Sequence, residues 1–421
     1  MKNSSLKIHI IGAGISGLVA ANVLEKKGYH PIVLEATDSV GGRVKTDVVD
    51  GYCLDHGFQV LLTAYPMAKK YLDYKSLKLN YFKPGAALFS KGNRTTIGDP
   101  IRDPSFLIPS LSSKVGSLRD KIKVFQLNRE LQGKSLEAIF DETETSTLAF
   151  LQNYGFSEKV IQGFFKPFFS GIFLEPNLDT SIRMFQFVYK MFGEGLAALP
   201  ATGIGAISEQ LESRLDHTTF HFNTTVQQVK ERKIVLENQT ILDSDYTIIA
   251  TDAHPLMPNL KNQEVTWKSC DNLYFLTSQK VITQPLIGLV SDENALINNI
   301  FYPTTFSGQL NNGKELLSVT IVKKHGLSPK ELIQKTTDEL KIHFNIQDSL
   351  FLKHYPIKKA LPQLSNLKNE IEPSETKLTS TVFLAGDTML NGSLNAAMLS
   401  GEKTAESVMA SINSETLTGS N

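Results

Sequence analysis

Residues 7–43 limit what this chain can fold into more than any other stretch. Lys7-Ile8-His9-Ile10-Ile11 has the apolar, β-branched character of a short buried strand. It runs into Gly12-Ala13-Gly14-Ile15-Ser16-Gly17, a GxGxxG turn, and then into an amphipathic helical stretch over 18–27. Gly28 stops that helix, and Pro31-Ile32-Val33-Leu34 forms a second strand ending on Glu35. Strand, turn, helix, strand and acid stand in the order of a dinucleotide-binding unit. Gly12 permits the tight turn, Gly14 lets the backbone approach a pyrophosphate, and Gly17 lets helix and strand pack closely. The N–H groups at the helix start, around Ile15 and Ser16, then meet the phosphates, where the helix dipole favours negative charge. Glu35, followed by Ala36, is placed to accept hydrogen bonds from a ribose diol, and its charge disfavours a ligand with a 2′-phosphate.

A second clamp follows the acid. Gly41-Gly42 allows another close approach of the backbone, and Arg43 supplies a fork of donors for phosphate oxygens. A dehydrogenase that binds NAD has no need of it. The stretch resembles the FAD-binding start of the flavin-containing amine oxidoreductases, a superfamily of monoamine and polyamine oxidases, protoporphyrinogen oxidases and phytoene desaturases.

Two further motifs extend that resemblance along the chain. Tyr246-Thr247-Ile248-Ile249-Ala250-Thr251 is similar to the strand that returns to the nucleotide domain, which implies Ala250 and Thr251 near the cofactor and Val226 near the adenine. Ser380–Asp387 is a strand ending in Gly386-Asp387, and a helix follows from about Leu394 to about Ala410. The resemblance implies that Asp387 binds the ribityl or pyrophosphate region, and that Leu394 and Asn395 present the helix start to the flavin N1/O2 edge. Reduced flavin carries negative charge there, which a helix N-terminus stabilises. Gly57, Phe58 and Gln59 are carried over as neighbours of the isoalloxazine.

The expected fold is therefore α/β: a Rossmann-like FAD-binding domain with a second, substrate domain of mixed sheet plus helices, as in amine oxidases. Residues 1–65, 205–255 and 370–412 are assigned to the first, 66–204 and 256–369 to the second, and 413–421 to a polar tail. A chain of 421 residues suits two domains.

Lysine plus arginine equals aspartate plus glutamate at 43 each, so no strong field is available to attract nucleic acid. The two cysteines, Cys53 and Cys270, form no CxxC, which counts against a disulfide reductase and a thiolate metal cluster, and no metal is expected. Residues 1–7 are a short polar lead, and the spaced glycines within 8–24 fit the nucleotide turn better than a signal-peptide core. No apolar run reaches transmembrane length. The expectation is a cytoplasmic protein with at most peripheral membrane contact.

Residues 104–192 read as mostly helical, with amphipathic segments over 114–131 and 145–154. Within them lies an aromatic block of Phe164, Phe165, Phe168, Phe169 and Phe173, continued by Phe185, Phe187, Tyr189 and Phe192. It reads equally as the core of a helical insert and as the lining of an apolar cavity or a membrane-facing surface. Neighbours such as Phe164 and Phe165 cannot both enter one helix interior. Gly203-Ile204-Gly205 has no predicted strand before it and no third glycine after it, so it reads as a returning loop. Strands are expected over 273–277, 286–290, 316–322 and 351–355, and a helix over Pro329–Phe344.

The resemblance implies transfer of hydride from a substrate C–H to flavin N5, with oxygen or a quinone as electron acceptor. The aromatic block favours desaturation or oxidation of an apolar substrate. An amine oxidase releasing hydrogen peroxide is the alternative, and a flavin-binding protein with little turnover is a third. Against a close match to monoamine oxidases, no cysteine lies beyond Cys270 for covalent attachment, so FAD is expected to be held non-covalently. Ser393 also stands where their aromatic cage has a tyrosine. Lys268 is a candidate to hold a water near N5, although a strand lysine is more often exposed; His56 is a second catalytic candidate, next to an aspartate in a turn that suits a structural role equally.

Overall fold

Ile8–Ile11 is the middle strand of a five-stranded, all-parallel sheet in a computed structural model that describes residues 6–112, 115–260, 264–308 and 313–418. Ile32–Leu34 and then Thr219–His221 pair on one side of it, and Tyr246–Ile249 and then Val382–Leu384 on the other. Three distant stretches thus make one sheet. Each central strand is a short run of buried residues, as in a sheet covered on both faces. His9 is the polar exception, its Nδ1 2.9 Å from the Ser244 hydroxyl, and burial with Lys7 nearby lowers its pKa to about 4.

The helix after the first strand, Ile15–Lys26, packs against the terminal helix, Leu394–Thr418. The terminal helix runs past the expected stop near Ala410, so residues 413–418 are helical; residues 419–421 lie outside the described set. The sequence has no helix-breaking glycine or proline between Gly401 and Gly419, and propagation adds a hydrogen bond for each residue fixed.

A seven-stranded mixed sheet stands beside this unit. Its order is Ser349–Gln363, Thr266–Thr277, Glu315–Ile321, Ile297–Phe301, Ile287–Val290, Gly85–Ser90 and Asn93–Gly98. Alternation gives it two different faces. Leu273, Phe275, Leu317, Val319 and Ile321 join Leu332, Leu340 and Phe344 of helix Pro329–Phe344 in one core. The residues between them, Asn272, Ser318 and Thr320, form a buried hydrogen-bonded band with Asn299 on the other face. The strand Ile297–Phe301 was not expected, because Asn298-Asn299 interrupts its apolar pattern. The strand expected over 351–355 continues to Gln363 through Pro356 and Pro362, which an edge strand tolerates.

The helical region contains Leu118–Gly133, which starts on a Ser117/Asp120 capping box, as well as Thr147–Tyr154, Lys166–Phe173 and Ile182–Glu194. The expected start at residue 114 lies outside the described residues. A π-helical turn, Ile161–Phe165, interrupts the helical run ahead of Lys166. One expectation is corrected: a strand, Ala197–Leu199, does precede Gly203-Ile204-Gly205, but it pairs antiparallel with Leu61–Leu62 and Asn80–Tyr81. Three residues with two alanines carry too little pattern to be read as a strand.

Candidate active site

The GxGxxG turn packs against the return strand. A side chain at Gly17 would place its Cβ 2.1 Å from the Gly12 carbonyl oxygen, so this glycine is demanded by the fold itself. Gly14 differs: a Cβ there would meet nothing within 4 Å among the described residues, and Gly14 lines a large cavity. The helix behind it begins with no side-chain cap, which leaves the first-turn N–H groups without an intrahelical acceptor. Glu35 is held rigidly at the same end. Its Oε2 accepts from Ala13 N at 2.8 Å, and its Oε1 accepts from Thr37 N and Thr37 Oγ1, both at 2.9 Å. Gly41 N donates to Ala13 O at 2.9 Å, which fastens the second glycine loop to the first.

Arg43 reaches across the cavity. Its guanidinium takes both carboxylate oxygens of Asp387, one of them at 3.0 Å, so the loops after the second and last parallel strands are tied together. The Trp267 ring lies 5.1 Å from that guanidinium and 5.9 Å from the Lys359 ammonium. Its indole Nε1 is buried and has no hydrogen-bond partner among the described residues. Gln59 fixes the neighbouring turn by donating to Arg43 O and His56 O, while the Phe58 ring packs against Phe82 and Phe301.

The His56 ring packs tilted against Tyr355 at 4.6 Å, and its Nε2 lies 2.9 Å from Asp47 Oδ2 without the alignment of a hydrogen bond. Tyr355 OH donates to the same oxygen at 2.8 Å, so one carboxylate organises both rings. Behind them Asp55 accepts from Thr46 Oγ1 and Ile204 N on a single oxygen, and burial pushes its carboxyl up to about 6.

The cavity measures about 1190 Å³ and continues from this polar end into an apolar arm. That exceeds the roughly 300–1,000 Å³ of a single small-molecule site. Phe164, Phe168, Phe169, Tyr189 and Phe192 line the arm, whereas Phe165, Phe173, Phe185 and Phe187 are core residues. The aromatic block therefore serves as both cavity wall and core, and the neighbours Phe164 and Phe165, both within the π-helical turn, face the arm and the core respectively. Asn299 and Thr320 add polar atoms from the mixed sheet. At the far end stand Asp99, Arg102, Asp120 and Lys121. Burial pushes Asp120 up, but hydrogen bonds from Ser117 and Ser157 outweigh it and hold the carboxyl at about 2. Cys270 also lines the cavity; burial and then Asp271 push its thiol up to about 12, so it stays protonated.

Most residues singled out from the sequence converge on this one cavity. Gly12, Gly14, Ile15, Ser16 and Glu35 form its polar end with Gly41, Gly42 and Arg43. His56, Gly57, Phe58 and Gln59 lie along it, with Ala250, Thr251, Gly386, Asp387 and Leu394 opposite in sequence but adjacent in space. Five do not line it. Gly17 sits behind the turn, Ala36 is exposed beside Glu35, and Val226 packs into a small core with Leu34 and Ile249. Asn395 Oδ1 accepts from Met67 N, joining the terminal helix to Pro66–Tyr71. Lys268 Nζ donates to Phe173 O at 3.0 Å and Thr180 Oγ1 at 3.3 Å, which ties the mixed sheet to the aromatic helix.

The residue beside Lys268 was overlooked. Trp267 is the single tryptophan, and strand alternation sends it into the cavity while Lys268 points away. Tyr355, Asn299 and Thr320 carry no local motif, and only the pairing of distant strands brings them to the cavity wall.

Known proteins fit this architecture. The family described as flavin containing amine oxidoreductase matches residues 15–409. An L-amino acid oxidase of Cerastes cerastes is 33% identical over 153 residues, 35% of this chain and 28% of that protein. An L-amino-acid oxidase of Crotalus adamanteus is 26% identical over 272 residues, 58% of this chain and 50% of that protein. The chain thus spans half or less of the length of these curated relatives. Among solved structures, an oxidoreductase from Methanosarcina mazei superposes with a TM-score of 0.71 at 18% identity, covering 96% of this chain and 100% of that one. A putrescine oxidase bound to putrescine gives 0.69 at 16% identity, with 96% and 99% covered. A CLA-producing fatty acid isomerase from P. acnes gives 0.69 at 14% identity, with 96% and 98% covered. These structures share the fold, and the chain belongs to the flavin-containing amine oxidoreductase family.

Proposed function

We propose that this chain is an FAD-dependent oxidoreductase that oxidises or desaturates an apolar substrate. The observation that carries the reading is the continuity between the glycine-walled polar end and the aromatic arm. Three features suit FAD: open space at Gly14, an uncapped helix start beside it, and the indole N–H of Trp267, which has no partner among the described residues. In this reading residues 1–65, 205–255 and 370–412 hold the cofactor non-covalently, and residues 66–204 and 256–369 shape the substrate site.

Gly12, Gly14, Gly41 and Gly42 let backbone N–H groups reach the pyrophosphate, and Glu35 keeps one acceptor position, on Oε2, for the ribose. Val226 supports the adenine end from behind Leu34 and Ile249. Gly57, Phe58, Gln59 and Leu394 border the isoalloxazine, with Asn395 fixing the helix that presents Leu394. FAD bound there supplies a two-electron acceptor for hydride from a substrate C–H. Phe164, Phe168 and Phe192 bind the apolar body of the substrate and exclude water, while Asn299 and Thr320 orient any polar group it carries. In a desaturation the hydride would go to the bound flavin and the proton from the neighbouring carbon to solvent, so no dedicated protein base is required. That suits a site where Lys268 is a structural tie and His56 is held by Tyr355 and Asp47.

An amine oxidase releasing hydrogen peroxide is the second reading, favoured by the local similarity to L-amino-acid oxidases. The arm's charge does not single out a cationic amine, because Arg102 and Lys121 accompany Asp99 and Asp120. Anaerobic titration of the yellow protein separates the two. Bleaching by unsaturated or cyclic apolar compounds, with none by mono- or polyamines, is expected. Bleaching by amines, with hydrogen peroxide on admission of air, would replace the first reading with the second.

A further inference from the structure

Exposed large apolar side chains are concentrated in one stretch of the chain. Of the twelve that are exposed among the described residues, six fall within residues 101–125: Ile101, Leu107, Ile108, Leu118, Ile122 and Phe125. Leu118, Ile122 and Phe125 follow the spacing i, i+4, i+7 along helix Leu118–Gly133, opposite its buried Leu127 and Leu131. This stripe faces solvent, with Leu118 67% exposed. Ile101, Leu107 and Phe125 also line the cavity, so the patch is the rim of the apolar arm.

The carboxylates around the rim are engaged within the protein: Asp99 accepts from Ile101 N at 2.9 Å. Asp120 is buried in hydrogen bonds to Ser117 and Ser157, and Asp103 caps the turn Pro104–Phe106 and pairs with Lys83. Arg119 is exposed next to the stripe, and Lys121 is half-buried beside it. Among the described residues, no helix is long and apolar enough to cross a membrane.

We propose that this rim docks on the surface of an anionic lipid bilayer, with Leu118, Ile122 and Phe125 in the headgroup–acyl boundary and Arg119 and Lys121 against the headgroups. An amphipathic face with flanking cations has the character of an interfacial helix, and each cation adds attraction to anionic lipid. The proposal rests on the apolar-substrate reading: it lets a substrate pass between lipid and arm without crossing water. A second copy of this chain is a poorer occupant, because a two-fold contact would bring Arg119 and Lys121 of both copies together. The aromatic block at 164–192 is not this surface, since its rings are spent on the core and the arm.

The test is co-sedimentation of the full, flavin-loaded chain with vesicles of phosphatidylcholine alone or mixed with phosphatidylglycerol. The protein is expected to pellet with the mixed vesicles and to bind the neutral ones roughly tenfold more weakly. Leu118→Glu with Ile122→Glu, neither of which lines the cavity, is expected to stay in the supernatant with an unchanged flavin spectrum. The proposal is overturned if the wild type binds neither vesicle, binds both equally, or is matched by the double variant. Light scattering that shows a dimer dissolved by the same double variant would overturn it in favour of self-association. Reduction of the flavin by an apolar substrate in detergent micelles reports on the oxidation reading separately, so either claim can fail without the other.

Discussion

The two ends of the cavity are built from different material. At the proposed cofactor end the wall is mostly backbone: glycines in two loops, an uncapped helix start, and the strand end at Ala250 and Thr251. Only Glu35, Arg43, Asp387 and Trp267 contribute decisive side-chain groups. The apolar arm is the reverse, a wall of rings carried on helices and polar tips carried on a sheet. A backbone wall is ruined by a single added Cβ, whereas a side-chain wall is altered by volume and polarity while the backbone stays in place. One chain can therefore keep a fixed cofactor geometry and still vary what it oxidises.

The sharpest way to break this contrast is to add side chains to the two inner glycines. Gly17→Val forces a Cβ against the Gly12 carbonyl, and loss of more than about 4 kcal/mol of stability, or of folding altogether, is expected in a denaturation assay. Gly14→Val enters open space, so the flavin-free protein should melt as the wild type does, while FAD affinity falls by at least roughly a hundredfold. Equal melting curves with undiminished FAD binding in Gly14→Val would show that the backbone wall is not the cofactor site.

Next in size is Phe169→Ala, at a ring only 1% exposed between arm and core. Urea denaturation should show a loss of about 3–5 kcal/mol, with flavin affinity unchanged. A parallel fall in flavin affinity would show that the two ends are not independent.

A smaller effect comes from pH. Asp55 has its pKa raised from 3.8 to about 6 by burial, so its favourable contribution is complete below pH 3.8 and is lost as pH rises through about 6. The loss is up to about 3 kcal/mol by the free-energy equivalent of a pKa unit. His9 works in the opposite sense: its pKa is lowered from 6.5 to about 4, so its contribution is present above 6.5 and lost as pH falls towards about 4. Asp55→Asn should abolish the first slope and leave the second, as read by denaturant midpoints across that range. An unchanged profile would place the titration elsewhere.

Smallest is Trp267→Phe. It removes an indole N–H that has no described protein partner, so stability should hold while FAD binds roughly tenfold more weakly. Unaltered affinity would mean that the N–H faces something other than the cofactor.

The same contrast explains what could be read from the sequence. GxGxxG, Glu35, Gly41-Gly42-Arg43 and Gly386-Asp387 are local patterns, because backbone geometry is written in glycines and short spacings. Three separated strands were identified as parts of one nucleotide unit, and they do lie in one parallel sheet. The arm was only half legible. The aromatic block announced rings, but which of them face the arm and which the core is set by tertiary packing that the local pattern does not carry. Lys268 and Trp267 are adjacent in sequence, yet strand alternation puts them on opposite faces and only Trp267 lines the cavity. Asn299, Thr320 and Tyr355 reach the wall only through long-range pairing, which leaves no trace in their neighbours. The terminal helix is longer than its polar composition suggests, because no helix-breaking residue lies between Gly401 and Gly419.

The most direct test of the central claim is reconstitution. The protein is purified, stripped of whatever it carries under mild denaturation, refolded, and titrated with FAD while its visible absorbance and fluorescence are followed. A yellow protein is expected that takes up one FAD per chain, melts at a higher temperature when loaded, and gains nothing from NADP. A chain that refolds with its full circular dichroism yet stays colourless at saturating FAD would contradict that claim.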